Sequence, residues 1–266
     1  MFCRDLYDNY KLANYLTTNS SGVYMRSPTQ PVSIIKKVLR KKGFYFFRNS
    51  VPRGFDTFSD LRKARLLGLV KTFIDVGANR GEYAELALEY LANLEHVILI
   101  EPEQANFEYL VRHFGDKAQV VNCAISNRSG DGILGLSSSD KMHALLPMAT
   151  NCELHAEMHQ SVRVRTLKEI VCEFYLPSPF FIKTDTEGHD IKVIEGLADL
   201  FEGTLGIVVE GAFRRGDNIT FFQDVYDLLT DRGMLFWGIY DQSPWGEMGS
   251  CNVVNGMFLN PNYLRT

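Results

Sequence analysis

The chain has 266 residues, of which 45% are hydrophobic and 23% charged, a composition that suits one large domain with a short extension and excludes disordered, collagen-like and coiled-coil chains. A formal charge of −4 argues against a protein built to coat a nucleic-acid backbone. The five cysteines form no Cys-x-x-Cys pair and no apolar run reaches the length of a signal peptide or membrane span, so the expectation is a soluble, cytoplasmic protein without a zinc knuckle, disulfide framework, nucleic-acid partner or membrane partner.

In chain order, residues 1–52 read as an N-terminal helical extension, with helices near Asp5–Leu16 and Val32–Lys42 around a polar stretch at Thr17–Gly22. The second helix sets Ile34, Ile35, Val38 and Leu39 on one side and Lys36, Lys37, Arg40, Lys41 and Lys42 elsewhere, a pattern that fits a solvated face better than an anion site. A lid and a homodimer contact are the roles open to this extension. Residues 53–266 read as one α/β domain, because from Lys71 onward short apolar runs alternate with helical spacing, as parallel sheets with crossover helices require. Strands are expected at Thr72–Val76, His96–Ile100, Gln119–Ile125, Phe180–Asp185, Gly206–Glu210 and Met234–Tyr240, with a last one near Asn252–Leu259. Helices are expected at Glu82–Leu94, Ala105–Phe114, Ile191–Leu200 and Phe221–Asp231, the last begun by a Thr220–Gln223 capping box. Within the final run, Asn255-Gly256 also suits a hairpin turn.

The stretch Phe73-Ile74-Asp75-Val76-Gly77-Ala78-Asn79-Arg80-Gly81-Glu82 is an apolar strand running into a glycine-containing turn and then a helix. Gly77 and Gly81 let the backbone bend tightly and a ligand approach its amides, while Asp75 sets a carboxylate at the strand's carboxyl end, where open α/β sheets bind ligands. The next strand ends in Glu101-Pro102, about twenty residues on, the place of a ribose-binding acid. Nicotinamide enzymes need Gly-x-Gly-x-x-Gly, and this chain instead has Gly77-x-x-x-Gly81 preceded by Asp75, a spacing that resembles S-adenosylmethionine-dependent methyltransferases.

Together with the Ala124-Ile125-Ser126 strand end, Val162-Arg-Val-Arg-Thr166-Leu167 and Phe181-Ile-Lys183-Thr-Asp185-Thr-Glu187-Gly188-His189-Asp190, these motifs resemble the FkbM methyltransferase family over roughly residues 70–212. The resemblance implies a Rossmann-like, doubly wound, seven-stranded sheet, mostly parallel with an antiparallel last strand. It also implies methyl transfer from S-adenosylmethionine to a hydroxyl of a small molecule, sugar or natural product. Carried over by position, Asp75, Gly77, Ala78, Asn79 and Gly81 would hold the methionine part of the cofactor, Glu101 the ribose, Ala124 and Ile125 the adenine, and Asp185 would face the methyl-transfer site. Lys168 departs from the pattern, in which an acid often follows Thr-Leu.

Methyl transfer is an in-line displacement, and an alcohol needs a base near its proton. The candidates at the sheet's carboxyl edge are, in order, Asp185, His189 and Glu187, although Glu187 suits first-turn helix stabilisation and His189 equally suits a surface helix position. Lys183 on the strand could pair with one of these acids. Ser137 to Ser161, with His143, His155 and His159, reads as a rim of the site. His155 and His159 could share a helical face, but Glu157 stands one place late for His-Glu-x-x-His and no Pro-Cys-x-x-Cys follows, so no metal is assigned. A nicotinamide-dependent oxidoreductase and a catalytically silent relative are the other readings. The missing third glycine disfavours the first, and the intact set of Asp75, Glu101 and Asp185 disfavours the second.

Overall fold

The computed structural model describes residues 53–136, 144–145, 158–216, 219–243 and 252–264. The chain divides into compact units at residues 1–50 and 51–266, and all described residues belong to the second. The two helices expected before residue 52, and His143 and His155, lie outside the described residues.

The central sheet contains β1 (Thr72–Val76), β2 (His96–Ile100), β3 (Gln119–Val121), β8 (Phe180–Thr184), β9 (Thr204–Ala212), β10 (Leu235–Ser243) and β11 (Val253–Leu259), in the order β10-β11-β9-β8-β1-β2-β3. The last strand, β11, is antiparallel to both neighbours, and the remaining pairs are parallel. Both faces are covered, and the period-two alternation shows it directly. Ile74, Ile98, Ile182 and Ile207 turn toward α4 (Leu167–Glu173), α5 (Asp190–Glu195) and α6 (Phe222–Asp231). Phe73, Val97, Phe181 and Val208 turn toward α1 (Thr57–Lys63), α2 (Glu82–Tyr90) and α3 (Gln104–Phe114). This is the doubly wound sheet with an antiparallel last strand expected from the sequence. Among the described residues, no helix is long and apolar enough to cross a membrane.

A second sheet is new. It has the order β4-β7-β5-β6, from β4 (Ala124–Ile125), β5 (Gly130–Leu136), β6 (Ala144–Leu145) and β7 (Met158–Arg165), closed over Ala124, Leu134, Val162 and Val164. The single strand expected at Gln119–Ile125 is therefore two pieces in two sheets. Asn122 turns the chain between them, its side-chain amide donating to the carbonyls of Glu101 and Pro102 at 2.9 and 3.2 Å. His159 sits exposed on β7 rather than on a helix.

Two boundaries move for visible reasons. The helix expected at Ile191–Leu200 stops at Gly196, where a Cβ would lie 2.4 Å from the Ser126 carbonyl oxygen, and continues as a 3-10 turn over Ala198–Gly203. α6 begins at Phe222 without a side-chain cap, because the Thr220 hydroxyl donates instead to Asp190 Oδ2 at 2.8 Å. The true capping box is Thr166 with Glu169, opening α4. Asn255-Gly256 lies inside β11, so the hairpin alternative does not apply.

Candidate active site

The glycine turn after β1 is held to the sheet by its own backbone: the Gly77 and Ala78 amides donate to the Ile100 carbonyl at 3.0 and 3.1 Å. Gly77 has φ +77°, and a Cβ there would stand 2.0 Å from the Asp185 carbonyl oxygen. Gly81 has φ +80°, and its Cβ would stand 2.3 Å from the Phe114 ring. Both glycines thus serve chain-on-chain approach. Gly77 lines the cavity described next, and Gly81, expected there, does not.

A cavity of about 620 Å³ opens at the carboxyl ends of β1, β2, β8 and β9, a size in the range of small-molecule sites. Asp75, Gly77, Ala78, Asn79, Glu101, Ala124, Ile125, Asp185, Glu187 and His189 all line it, so the fold gathers every other sequence candidate around one space. Asn79, at φ +47°, donates its amide to Glu101 Oε2 at 2.8 Å, and the Glu103 amide donates to Glu101 Oε1 at 2.9 Å. Burial lifts Glu101 to about 7 against those two amides. Asp75 is 2% exposed; burial lifts it to about 7 although Lys183 opposes the rise, and its Oδ2 has no hydrogen-bond partner among the described residues.

At the other end of the cavity the side chains are crowded acids around one cation. Lys183 stands opposite Asp75 across the β1–β8 ladder. Its ammonium lies 3.2 Å from Asp185 Oδ2 and donates to the Thr184 carbonyl at 3.0 Å. Burial works against its charge, yet Asp185, Asp75, Glu210 and Asp190 together hold its pKa above the ordinary lysine value. Glu187 lies in the loop before α5 at φ +49°, so the first-turn helix role expected of it falls to Asp190 instead. Burial, then Asp185 and Asp190, lift Glu187 to about 7. Asp190 accepts from the Thr220 hydroxyl at 2.8 Å and the Thr186 amide at 3.3 Å, and burial raises its pKa.

His189 is the N-cap residue of α5, not a surface helix position, and its Nε2 lies 2.9 Å from Ser126 Oγ. Burial, with Lys192 beside it, pushes it down to about 4, which makes it a neutral hydrogen-bonding group and a weak base. Glu210, which sequence reasoning left outside the catalytic group, lines the same cavity with Asn252 and Asn255. Buried Asn252 Oδ1, Asn255 Oδ1 and Thr186 Oγ1 lack hydrogen-bond partners among the described residues. Asn252 and Asn255 come from the antiparallel strand β11 and the residue before it, where no sequence motif marks them, whereas Glu210 stands on β9 and Thr186 lies within the Phe181–Asp190 motif. Among the described residues, no group of three or more His, Cys, Asp and Glu could hold a metal ion.

A family model described as the methyltransferase FkbM domain matches residues 75–236, more than half of the chain. The chain is 28% identical over 138 residues to the hexuronic acid methyltransferase AglP of Haloferax volcanii, covering 51% of this chain and 54% of that one. It therefore spans about half the length of this curated relative. Among solved structures it is similar to the methyltransferase FkbM from Methylobacillus flagellatus, at 16% identity and a TM-score of 0.48 over 70% of this chain and 43% of that one. It is also similar to the precorrin-6y C5,15-methyltransferase from Geobacter metallireducens, at 11% identity and a TM-score of 0.41 over 82% of this chain and 95% of that one.

Proposed function

The chain belongs to the FkbM methyltransferase family, and on that premise we propose that it moves the methyl group of S-adenosylmethionine onto a hydroxyl oxygen of a saccharide or similar polyhydroxylated small molecule. The observation that carries this is a pair of unfilled hydrogen-bonding ends in one cavity. Asp75 Oδ2 and Thr186 Oγ1 are buried and unpartnered among the described residues beside the glycine turn, and Asn252 Oδ1 and Asn255 Oδ1 are so at the far end. A buried acceptor atom without a donor costs stability, so each awaits a donor from a ligand.

The donor set fits the cofactor. Asp75 suits the ammonium of its methionine part, Glu101 the ribose hydroxyls, and the apolar walls at Ala124 and Ile125 the adenine. When bound, S-adenosylmethionine supplies an electrophilic methyl group on a cationic sulfonium. Asp75, Glu82, Glu101, Asp185, Glu187, Asp190, Glu210 and Asp241, set against Arg80 and Lys183 among the described lining residues, bias the cavity toward negative charge as these acids ionise, which attracts that cation. The residues' own work is to orient both partners, exclude water and receive the hydroxyl proton. The likeness to a hexuronic acid methyltransferase supports a saccharide acceptor. The acids at the far end repel a second carboxylate, so a neutral saccharide hydroxyl is favoured over a uronate. A second cavity, of about 880 Å³ and lined in part by Glu187, Gly188 and His189, adjoins the first and offers room for further sugar units.

The test is calorimetric titration with S-adenosylmethionine, S-adenosylhomocysteine and NAD. Micromolar binding of the first two and none of NAD is expected, followed by methylation of methyl glucoside over methyl glucuronide detected by mass. Absence of binding by both S-adenosyl compounds would overturn the reading. Binding without transfer to any saccharide would favour a catalytically silent relative.

A further inference from the structure

Four carboxylates surround the far end of the cavity, but they are not equivalent. Asp185 is tied to the buried Lys183 ammonium at 3.2 Å, so its carboxylate is already engaged with the chain's own cation. Asp190 accepts from Thr220 and Thr186. Among the described residues, Glu187 and Glu210 alone of the four have neither an ion pair nor a side-chain hydrogen bond. Glu187 is carried on a loop, whereas Glu210 stands on β9, a strand paired on both sides. The ladder aligns Thr184 with Val209, so the next step sets Glu210 beside Asp185, the residue whose carbonyl packs on Gly77 at the start of the glycine turn. On its other side the partner across the ladder is Asn255, whose side-chain amide donates to Asp241 Oδ2 at 3.2 Å. Glu210 thus lies between the glycine turn and the unpartnered oxygens of Asn252 and Asn255.

We propose that Glu210 is the catalytic residue that takes the acceptor's proton, with Asp185 a positioning residue that holds Lys183. This rests on the methyl-donor reading above. In the step, the acceptor O–H bond breaks and its proton passes to the Glu210 carboxylate. The oxygen's lone pair forms the new C–O bond, and the electron pair of the broken C–S bond stays on sulfur as a neutral thioether. A strand-borne base between two fixed neighbours meets the geometric demand that it lie within hydrogen-bond reach of the proton it abstracts. The charged groups that set its proton affinity are Asp185 and Lys183 from β8 and its loop and Glu187 and Asp190 beyond it, while Asp241 and Asn255 line the same cavity from the last strands. Burial, then Asp185, lift Glu210 up to about 8, near the pH at which such a base works best.

The test needs no identified acceptor. Sinefungin replaces the sulfonium methyl of the cofactor with a protonated amine, so its affinity relative to neutral S-adenosylhomocysteine reads the charge facing the transferring group. The expected ratio rises by about tenfold between pH 6.5 and 8.5 as Glu210 ionises. Glu210→Gln should abolish the rise while leaving S-adenosylhomocysteine affinity unchanged, and Glu187→Gln should keep it. A wild-type ratio independent of pH, readable even if no variant folds, would overturn the proposal, as would an undiminished rise in Glu210→Gln. If S-adenosylhomocysteine itself does not bind, the donor reading fails first and this proposal with it.

Discussion

The two ends of the cavity are built from different materials. The glycine-turn end is mostly backbone, with its amides already spent on Ile100 and Glu101 and its glycines pressed against Asp185 and Phe114. The far end is side chains, with four carboxylates around Lys183 and the oxygens of Asn252 and Asn255 unmatched among the described residues. A backbone site is rigid and depends on residues that leave space. A side-chain site is adjustable and depends on the proton affinities its members impose on one another.

The sharpest way to break this contrast is Gly77→Val. With a Cβ only 2.0 Å from a carbonyl oxygen and φ at +77°, the turn must move, so we expect S-adenosylhomocysteine affinity to fall at least about 100-fold and stability by about 3 kcal/mol. Unchanged affinity by calorimetry would show that the close approach is dispensable.

At the far end, Asp185→Ala should drop methyl transfer to about 1% or less and, by leaving a buried ammonium unpaired, cost about 1–3 kcal/mol, less than a fully buried pair because Asp185 is 40% exposed. Lys183→Met in that background should recover the melting temperature without recovering transfer. Failure to recover it would mean that the pair is not what the substitution disturbed.

The acids at both ends should also reveal themselves by pH. Asp75, Glu101 and Glu187 near 7, and Glu210 near 8, bind protons more tightly folded than unfolded. Their contribution to stability is complete below the ordinary carboxylate range and is lost as pH rises through 7 to 8. His189, pushed down to about 4, works the other way below its ordinary value but is a single group. The unliganded protein should therefore melt several degrees higher at pH 5.5 than at pH 8.5. A flat profile would indicate that water relieves these acids.

The smallest effect expected is that of Thr220→Val, which removes the hydroxyl donated to Asp190 and should cost about 1 kcal/mol in chemical denaturation. No change in the midpoint would mean that Asp190 finds another donor.

The core strands were legible because each is a short apolar run between breakers, and a strand buried on both faces can be little else. The second sheet was not. Its strands β5 and β7 read Gly130-Asp-Gly-Ile-Leu-Gly-Leu136 and Met158-His-Gln-Ser-Val-Arg-Val-Arg165, with few apolar residues, and they bury only a small cluster. Local pattern carries little signal where burial is slight. Thr220 misled for a related reason: its hydroxyl could cap a helix or reach Asp190 thirty residues back, and only the folded chain offers the second partner.

The sequence by itself determined the strands of the central sheet, the helices α2, α3, α5 and α6, the glycine turn with Asp75, and the acid at Glu101, because these depend on contiguous residues and on backbone conformation, whereas α1 and α4 were not marked by it. Tertiary structure alone decided that Gly77 faces Asp185 and Gly81 faces Phe114, that His189 is neutral and bonded to Ser126, and that Glu210 joins Asp185, Glu187 and Asp190 around Lys183. Those facts are set by which strand edges the sheet brings together. Proton affinity follows burial and neighbouring charge, which no stretch of sequence contains.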